Sequence, residues 1–393
     1  SGTLAQIIPP SIVLIVLADQ LGRSVGDMYS AAFVPGLLLA GLYILYVVTI
    51  TIFKPSWAPA LPPEARAIRE KNGASGLWSL SVLLGFSVVS ALVFVRLYFT
   101  ADAPMDEVVV IGIVVGGSIS FVATILNHVF KLGWLSLLAE RVTFVMIPPL
   151  ALIFLVLGSI YLGVATPTEG GAMGAMGALI MAVWRRRLPM PQLRNAMDAT
   201  ARLTAFVVFI LIGARIFSLT FYAVDGHVWV ESLLIGLPGG QIGFLVVVNL
   251  IVFVMAFFLD FFEIAFIVVP LLAPVAEKLG IDLIWFGILL AVNMQTSFMH
   301  PPFGFALFFL RSVAPDRDYV DRVTGKSTAS VTTGQIYWGA VPFVVIQIIM
   351  VGLLIAYPGL ASPGADDAPK IDPATVQVLV PVNEDEEAAS SLF

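Results

Sequence analysis

Cysteine is absent from all 393 residues, which excludes disulfides, thiolate chemistry and any cysteine-ligated metal centre. Histidine is nearly absent too: His128, His227 and His300 are scattered, and no His-rich metal site follows from them. Charge is scarce as well, at 12% of residues against about 25% in an ordinary soluble domain. The zinc-protease pattern H-E-x-x-H and the phosphate-binding pattern G-x-x-x-x-G-K-[ST] are both missing. Gly116-Gly117-Ser118 comes with no positioned base and does not define a serine nucleophile. No enzyme, no cofactor and no nucleic-acid partner is expected.

What is present is apolar. Hydrophobic residues make up 59% of the chain, mean hydropathy is +0.99, and several runs exceed the ~20 residues that cross a bilayer as a helix. The expected fold class is an all-α polytopic membrane protein embedded in a lipid bilayer. Full spans are predicted near 31–53, 76–99, 108–127, 203–224, 241–259 and 335–356, with an out-and-back helical pair over 142–184. Apolar runs at 264–276 and 283–310 complete the set, and an amphipathic stretch at 191–202 precedes the span that follows it. The basic connections at 54–73, 128–141 and 185–202 are expected to face the cytoplasm, and the acidic loops at 100–107 and 225–231 the other side.

The net charge of −6 is local. Asp366, Asp367, Asp372, Glu384, Asp385, Glu386 and Glu387 stand against Lys370 alone in residues 357–393, leaving the membrane body close to neutral. Such a tail reads as a disordered solvated end, with partner binding as the alternative.

Two stretches use one device. Ser1-Gly2-Thr3-Leu4-Ala5-Gln6-Ile7-Ile8-Pro9-Pro10-Ser11 opens the chain, and Gln295-Thr296-Ser297-Phe298-Met299-His300-Pro301-Pro302-Phe303-Gly304 lies near its end. A proline pair removes two backbone donors and disfavours helix in the residue before it, so Pro9, Pro10, Pro301 and Pro302 are expected to keep these segments unwound. Unwound backbone is tolerated at membrane depth only where protein or a water-filled cavity satisfies it. Paired broken helices mark the binding site of a secondary transporter. Because the chain opens inside such a motif, an upstream half is expected in the whole protein.

Between the apolar runs lie Asp260 and Glu263, at a spacing that puts both carboxylates on one helix face. One reading makes them the tip of a re-entrant hairpin that helps hold a cation. The other ends a full span at Leu259 and leaves both acids at the headgroup level. Asn293, Gln295, Thr296, Ser297 and His300 form a polar series in an apolar span. Their oxygens, with freed carbonyls, suit a hard cation such as Na⁺; interhelical hydrogen bonding is the alternative. Thr166-Pro167-Thr168-Glu169 reads as a capped helix start, followed by a small-residue face of Gly170, Gly174 and Gly177.

Taken in order, these motifs resemble the large membrane subunit of the TRAP (tripartite ATP-independent periplasmic) transporters. The matching residues are Ser1-Gly2-Thr3-Leu4 with Ile8-Pro9-Pro10-Ser11-Ile12, Phe33-Val34-Pro35-Gly36, and Ala165-Thr166-Pro167-Thr168-Glu169 with Gly174. Leu259-Asp260, Gly280-Ile281-Asp282 with Phe286-Gly287, and Asn293 through Phe303-Gly304 continue the series. The last stretch looks most like the branch named for mannitol or chloroaromatic compounds. Two features depart from the family pattern: His300 stands where Thr is common, and spans 76–99 and 108–127 look like an insertion.

The resemblance implies an inverted-repeat ion-transporter-like fold with re-entrant hairpins and broken helices, moved as an elevator. On that pattern residues 1–30 hold the first broken helix and the end of the first repeat, and 31–141 are scaffold spans with a two-helix insertion and basic linkers. Residues 142–356 form the second inverted repeat, and 357–393 the acidic tail. The implied function is Na⁺-coupled uptake of a small organic acid delivered by a periplasmic solute-binding protein, with a small TRAP membrane subunit as partner, in a bacterial or archaeal inner membrane. Cation and substrate would be held by Ser1, Gly2, Thr3, Asn293, Thr296 and Ser297, with Asp260 supplying charge. A stand-alone ion-coupled carboxylate symporter is the alternative. An intramembrane hydrolase using Asp260 is a third, with no second intramembrane Asp to complete a catalytic pair.

Overall fold

Inside hydrocarbon every backbone N–H and C=O must find its partner within the protein, which leaves helices as the economical solution for an apolar chain. The computed structural model describes residues 2–58, 76–99, 103, 105–161, 164–186, 188–301, 304–321, 325 and 327–361. Ser1, Pro302, Phe303, most of the basic linker (59–75) and nearly all of the acidic tail (362–393) lie outside the described residues.

Almost everything described is helical. A 3₁₀ turn, Gly2–Gln6, leads through Pro9-Pro10 into α1 (Ile12–Gln20) and α2 (Val25–Phe53). Then come α3 (Leu77–Tyr98), α4 (Met105–Phe130), α5 (Leu137–Tyr161), α6 (Pro167–Trp184) and α7 (Met190–Ala223). The short α8 (Gly226–Ile235) precedes α9 (Gly240–Met255). After a turn, α10 (Phe261–Glu263) runs on through a π-helical stretch, Ile264–Val268, into α11 (Val269–Lys278). α12 (Leu283–Met294) gives way to a 3₁₀ turn, Gln295–Met299, and α13 (Phe305–Val313) resumes beyond it. Two-residue strands β1 (Tyr319–Val320) and β2 (Ser327–Thr328) pair antiparallel before α14 (Thr333–Ala356). Among the described residues six helices are long and apolar enough to span: α2, α3, α4, α5, α7 and α14.

Contacts sort the helix ends onto two faces. On the first, Gln241 Nε2 donates to the Leu279 carbonyl at 2.7 Å, joining the start of α9 to the end of α11. Lys278 pairs with Glu231 of α8 at 2.6 Å, and Arg23, just past α1, sits 3.9 Å from Glu277. Trp285 Nε1 donates to Leu354 O at 3.0 Å, bringing the start of α12 to the end of α14. On the second face Ser136 donates to Gly76 O at 3.0 Å, and Arg185 donates to Phe144 O. Lys54, Lys131, Arg141, Arg185 and Arg186 fall at this second face by alternation of the spans, the charge bias that the positive-inside rule associates with a cytoplasmic side.

The core gathers α1, α2, α9 to α12 and α14. α12 is buried nearly all round, as its uniformly apolar sequence requires. α3, α4, α5 and α6 pack on one another beside it. A buried Ser87–Ser120 hydroxyl bond joins α3 to α4. Thr166 caps α6 in a reciprocal box with Glu169, and the small face of α6 meets α5, where a Cβ on Gly177 would lie 2.4 Å from Leu152 Cδ1. The amphipathic 191–202 stretch is not a separate element. It is the first third of α7, a helix of 34 residues that no proline interrupts after Pro191.

Buried Gly287 is closely approached, and an added Cβ there would lie 2.7 Å from Met28 Cε and 2.8 Å from Leu21 Cδ1. Gly287→Ala is therefore expected to destabilise the purified protein by about 1–3 kcal/mol through overpacking. Thermal unfolding in detergent reads this directly; an unchanged midpoint would mean α12 does not pack that closely on α1 and α2.

Candidate functional site: a hairpin tip between two broken helices

The first break is built around Ser11. Its hydroxyl donates to Gln6 O on one side and accepts from Leu14 N at 3.3 Å on the other, so it closes the unwound turn and caps α1 at once. Pro9-Pro10 supplies no donors in between, and the bond between them is cis. α1 then runs to the first face, while α12 starts from that face and runs inward. The two broken helices are thus oppositely directed, and their unwound segments meet in the middle.

Gln295 makes that meeting. It is fully buried, and its Nε2 donates to Thr3 O at 2.6 Å across 292 residues of sequence. Two residues earlier, Asn293 Nδ2 donates to both the carbonyl and the Oδ1 of Asn249 in α9, at 2.7 and 2.9 Å. Asn249 in turn donates to Leu245 O at 2.8 Å. Thr296 donates to Asn293 O at 2.6 Å, which answers a carbonyl freed where α12 stops. Ser297 is buried beside them. Around Thr3, the Tyr43 hydroxyl of α2 is turned toward the Thr3 and Gln347 side chains, and it does not reach hydrogen-bond geometry with either.

α9 is 16 residues long, about 24 Å at ~1.5 Å per residue, and too short for a ~30 Å hydrocarbon core. With α10–α11 returning to the same face, it forms a re-entrant hairpin. Its tip lies beside the second break: the Phe261 and Phe298 ring centroids are 5.9 Å apart. Asp260 therefore lies at the hairpin tip, beside the second break. Its Oδ1 accepts from Phe262 N at 2.9 Å and Glu263 N at 3.1 Å, while Glu263 Oε2 accepts from Asp260 N at 3.1 Å. The two acids form a capping box that satisfies backbone donors at the tip and leaves Asp260 Oδ2 outside the cap.

His300 ends the unwound segment. Phe257 stacks on its ring at 3.9 Å and Phe253 meets it edge-on at 4.7 Å, which ties the end of α9 and the turn after it to the residue before Pro301.

The structure thus sets Thr3 against Gln295 and Asn293 against Asn249 of the hairpin, with Thr296 and Ser297 in the same unwound segment; of these partners the sequence reading did not single out Asn249. Gly2 is exposed at the edge of the described residues. Asp260 makes its hydrogen bonds within the hairpin, not to the broken helix. Asn249 was the missing partner, although a lone Asn in the apolar run 242–255 is itself a signal. Gln347, a lone amide in the apolar run 341–356, carries the same mark, whereas Tyr43 carries none.

These features define a polytopic helical membrane protein organised around two oppositely directed broken helices and a hairpin. The chain belongs to the family described as "Tripartite ATP-independent periplasmic transporter, DctM component", which matches residues 1–360. It is 27% identical over 318 residues to the C4-dicarboxylate TRAP transporter large permease protein DctM of Pseudomonas aeruginosa, covering 80% of this chain and 57% of that protein. The ectoine/5-hydroxyectoine TRAP transporter large permease protein UehC of Ruegeria pomeroyi is 24% identical over 330 residues, 83% of this chain and 59% of the relative. The sialic acid TRAP transporter permease protein SiaT of Haemophilus influenzae is 25% identical over 205 residues, 52% of this chain and 31% of its own length. The chain therefore spans little more than half of the first relative's length.

The Asn249–Asn293 contact can be measured on its own. A double-mutant cycle of Asn249→Ala and Asn293→Ala, read by unfolding in detergent, is expected to give a coupling of about 0.5–1.5 kcal/mol. Additive effects would show that the hairpin is not held to α12 through this pair.

Proposed function

We propose that this chain is the permease part of a secondary transporter that takes up a small organic acid with Na⁺, working with a small membrane subunit and a periplasmic binding protein in a prokaryotic inner membrane. The observation that carries this reading is the meeting of two unwound, oppositely directed segments beside a hairpin tip, tied by Gln295 to Thr3. Family membership supports it, and the relatives named above carry organic solutes in their names.

In this reading neutral oxygens of Thr3, Asn293, Thr296 and Ser297 line the cation and substrate site, to which the family pattern also assigns Ser1 and Gly2. Neutral oxygen ligands suit a hard monovalent cation that must bind and leave. Asp260 Oδ2, free of the cap, supplies charge from the hairpin. Pro9, Pro10, Pro301 and Pro302 hold the segments unwound. Movement of the hairpin unit against the long spans would expose the site to alternate sides.

The test uses the full-length protein reconstituted with its small subunit and binding protein. Organic-acid uptake is expected to require both an inward Na⁺ gradient and the binding protein. Uptake that needs the gradient alone would favour a stand-alone symporter, and uptake indifferent to both would overturn the reading. Asn293→Ala is expected to lower Na⁺-driven uptake at least about tenfold, equivalent to ~1.4 kcal/mol. Asp260→Asn keeps a competent cap and removes the charge; unchanged Na⁺ dependence in that variant would remove Asp260 from the ion site.

A further inference from the structure

Where α2 and α14 pack against the two breaks lies a second group of buried polar side chains. It draws on four elements. Tyr43 comes from α2, Gln347 from α14, Thr3 from the first unwound segment and Gln295 from the second. Tyr43 is 5% exposed and Gln347 fully buried, both well inside spans that are otherwise apolar. The Tyr43 ring meets Phe343 edge-on at 5.1 Å, and Phe343 lies one turn before Gln347 on the same face of α14. That contact carries the Tyr43 hydroxyl toward the Thr3 and Gln347 side chains.

These groups face one another without bonding. The Tyr43 hydroxyl, both polar atoms of the Gln347 amide and Gln295 Oε1 have no hydrogen-bond partner among the described residues. Gln295 Nε2 is committed to the Thr3 carbonyl, which leaves its oxygen as an acceptor. Burying a polar atom unanswered is costly, so four of them around Thr3 call for a shared partner.

The chemistry of the set selects that partner. Gln347 offers two N–H donors and one acceptor, Gln295 one acceptor, and the two hydroxyls serve as either. A cation would answer the oxygens and leave the Gln347 N–H groups unpaired. A carboxylate would answer the donors, strand the Gln295 oxygen and bring a charge that nothing in this neutral group pairs. Water donates and accepts at once, and a buried water commonly makes about three hydrogen bonds to such groups. Polar side chains that face each other beyond direct bonding are where a bridging water belongs.

We propose that Thr3, Tyr43, Gln347 and Gln295 enclose an ordered internal water, which joins both unwound segments to α2 and α14. Thr3 is then fixed twice, through its carbonyl by Gln295 and through its hydroxyl by the water. The assignment does not depend on which solute or ion the chain carries.

X-ray radiolysis of the full-length protein in nanodiscs tests this directly, because a bound water activated in place labels the side chain beside it. Mass spectrometry is expected to find Tyr43 labelled and Phe286, buried in the apolar core, unlabelled. An unlabelled Tyr43 overturns the proposal. So does labelling of Tyr43 that Na⁺ removes and choline does not, because the occupant is then a cation. Unfolding in detergent supplies a second readout. Tyr43→Phe and Gln347→Leu each remove polar atoms and nearly keep the shape of the side chain. With a bridging water each variant strands the groups that remain and lowers the midpoint by about 2 °C or more. The double variant should then lose less than the sum of the two. In a dry site each variant deletes an unanswered group, and a midpoint that stays or rises would overturn the proposal. Neither readout involves transport, so the water site and the transport reading stand or fall separately.

Discussion

The cost of unpaired backbone in hydrocarbon is the constraint on which the rest of this structure depends. Where a helix breaks at membrane depth, its freed N–H and C=O groups meet no water, and each one costs up to several kcal/mol if unanswered. Both breaks and the hairpin turn are therefore places where side chains stand in for the missing helix. Ser11 bridges the first break, Thr296 answers the Asn293 carbonyl at the second, and Asp260 with Glu263 closes the tip. Each uses a different residue type for one physical task.

The answers also interlock. Asn293 reaches out of α12 into the hairpin arm, and Gln295 reaches from the same segment to Thr3 in the other broken helix. Moving the hairpin alone would strand the Asn249 and Asn293 amides, and moving the first break alone would strand Gln295. With His300 wedged between Phe253 and Phe257, aromatic packing reinforces the same joint. These ties couple the position of the hairpin to that of both breaks.

How much of this was legible in the sequence is best judged from three proline pairs. Pro9-Pro10 and Pro301-Pro302 were read as breaks, and the described residues around them are unwound. Pro148-Pro149 lies inside α5, which runs unbroken from Leu137 to Tyr161. Neighbours explain the difference. Val145, Met146, Ile147, Leu150 and Ala151 offer nothing to answer an uncoiled backbone, whereas Thr3, Gln6 and Ser11, or Asn293 through Ser297, do. The polar set was therefore the signal, and the prolines only sharpened it. Asp260 and Glu263 were placed correctly on one turn, but their use as a reciprocal cap depends on where α9 stops, which an apolar run cannot show. Partners such as Asn249 and Asn293, 44 residues apart, meet only because the hairpin folds back, and a local reading has no means of pairing them.

The distribution of charge carries the last step. Among the described residues of the two unwound segments there is no Asp, Glu, Lys or Arg; the acids belong to the hairpin tip. A carboxylate at membrane depth costs roughly 2.5–3.5 kcal/mol on insertion scales, and capping alone could have been met by a neutral Asn. On the transport reading, placing the charge on the hairpin would make the electrostatic attraction for a cation a property of the hairpin's position, while the neutral oxygens belong to the broken helices. On the transport reading, cation affinity and hairpin position are then thermodynamically linked: a cation that binds better with the tip closed must also favour the closed tip by the same free energy.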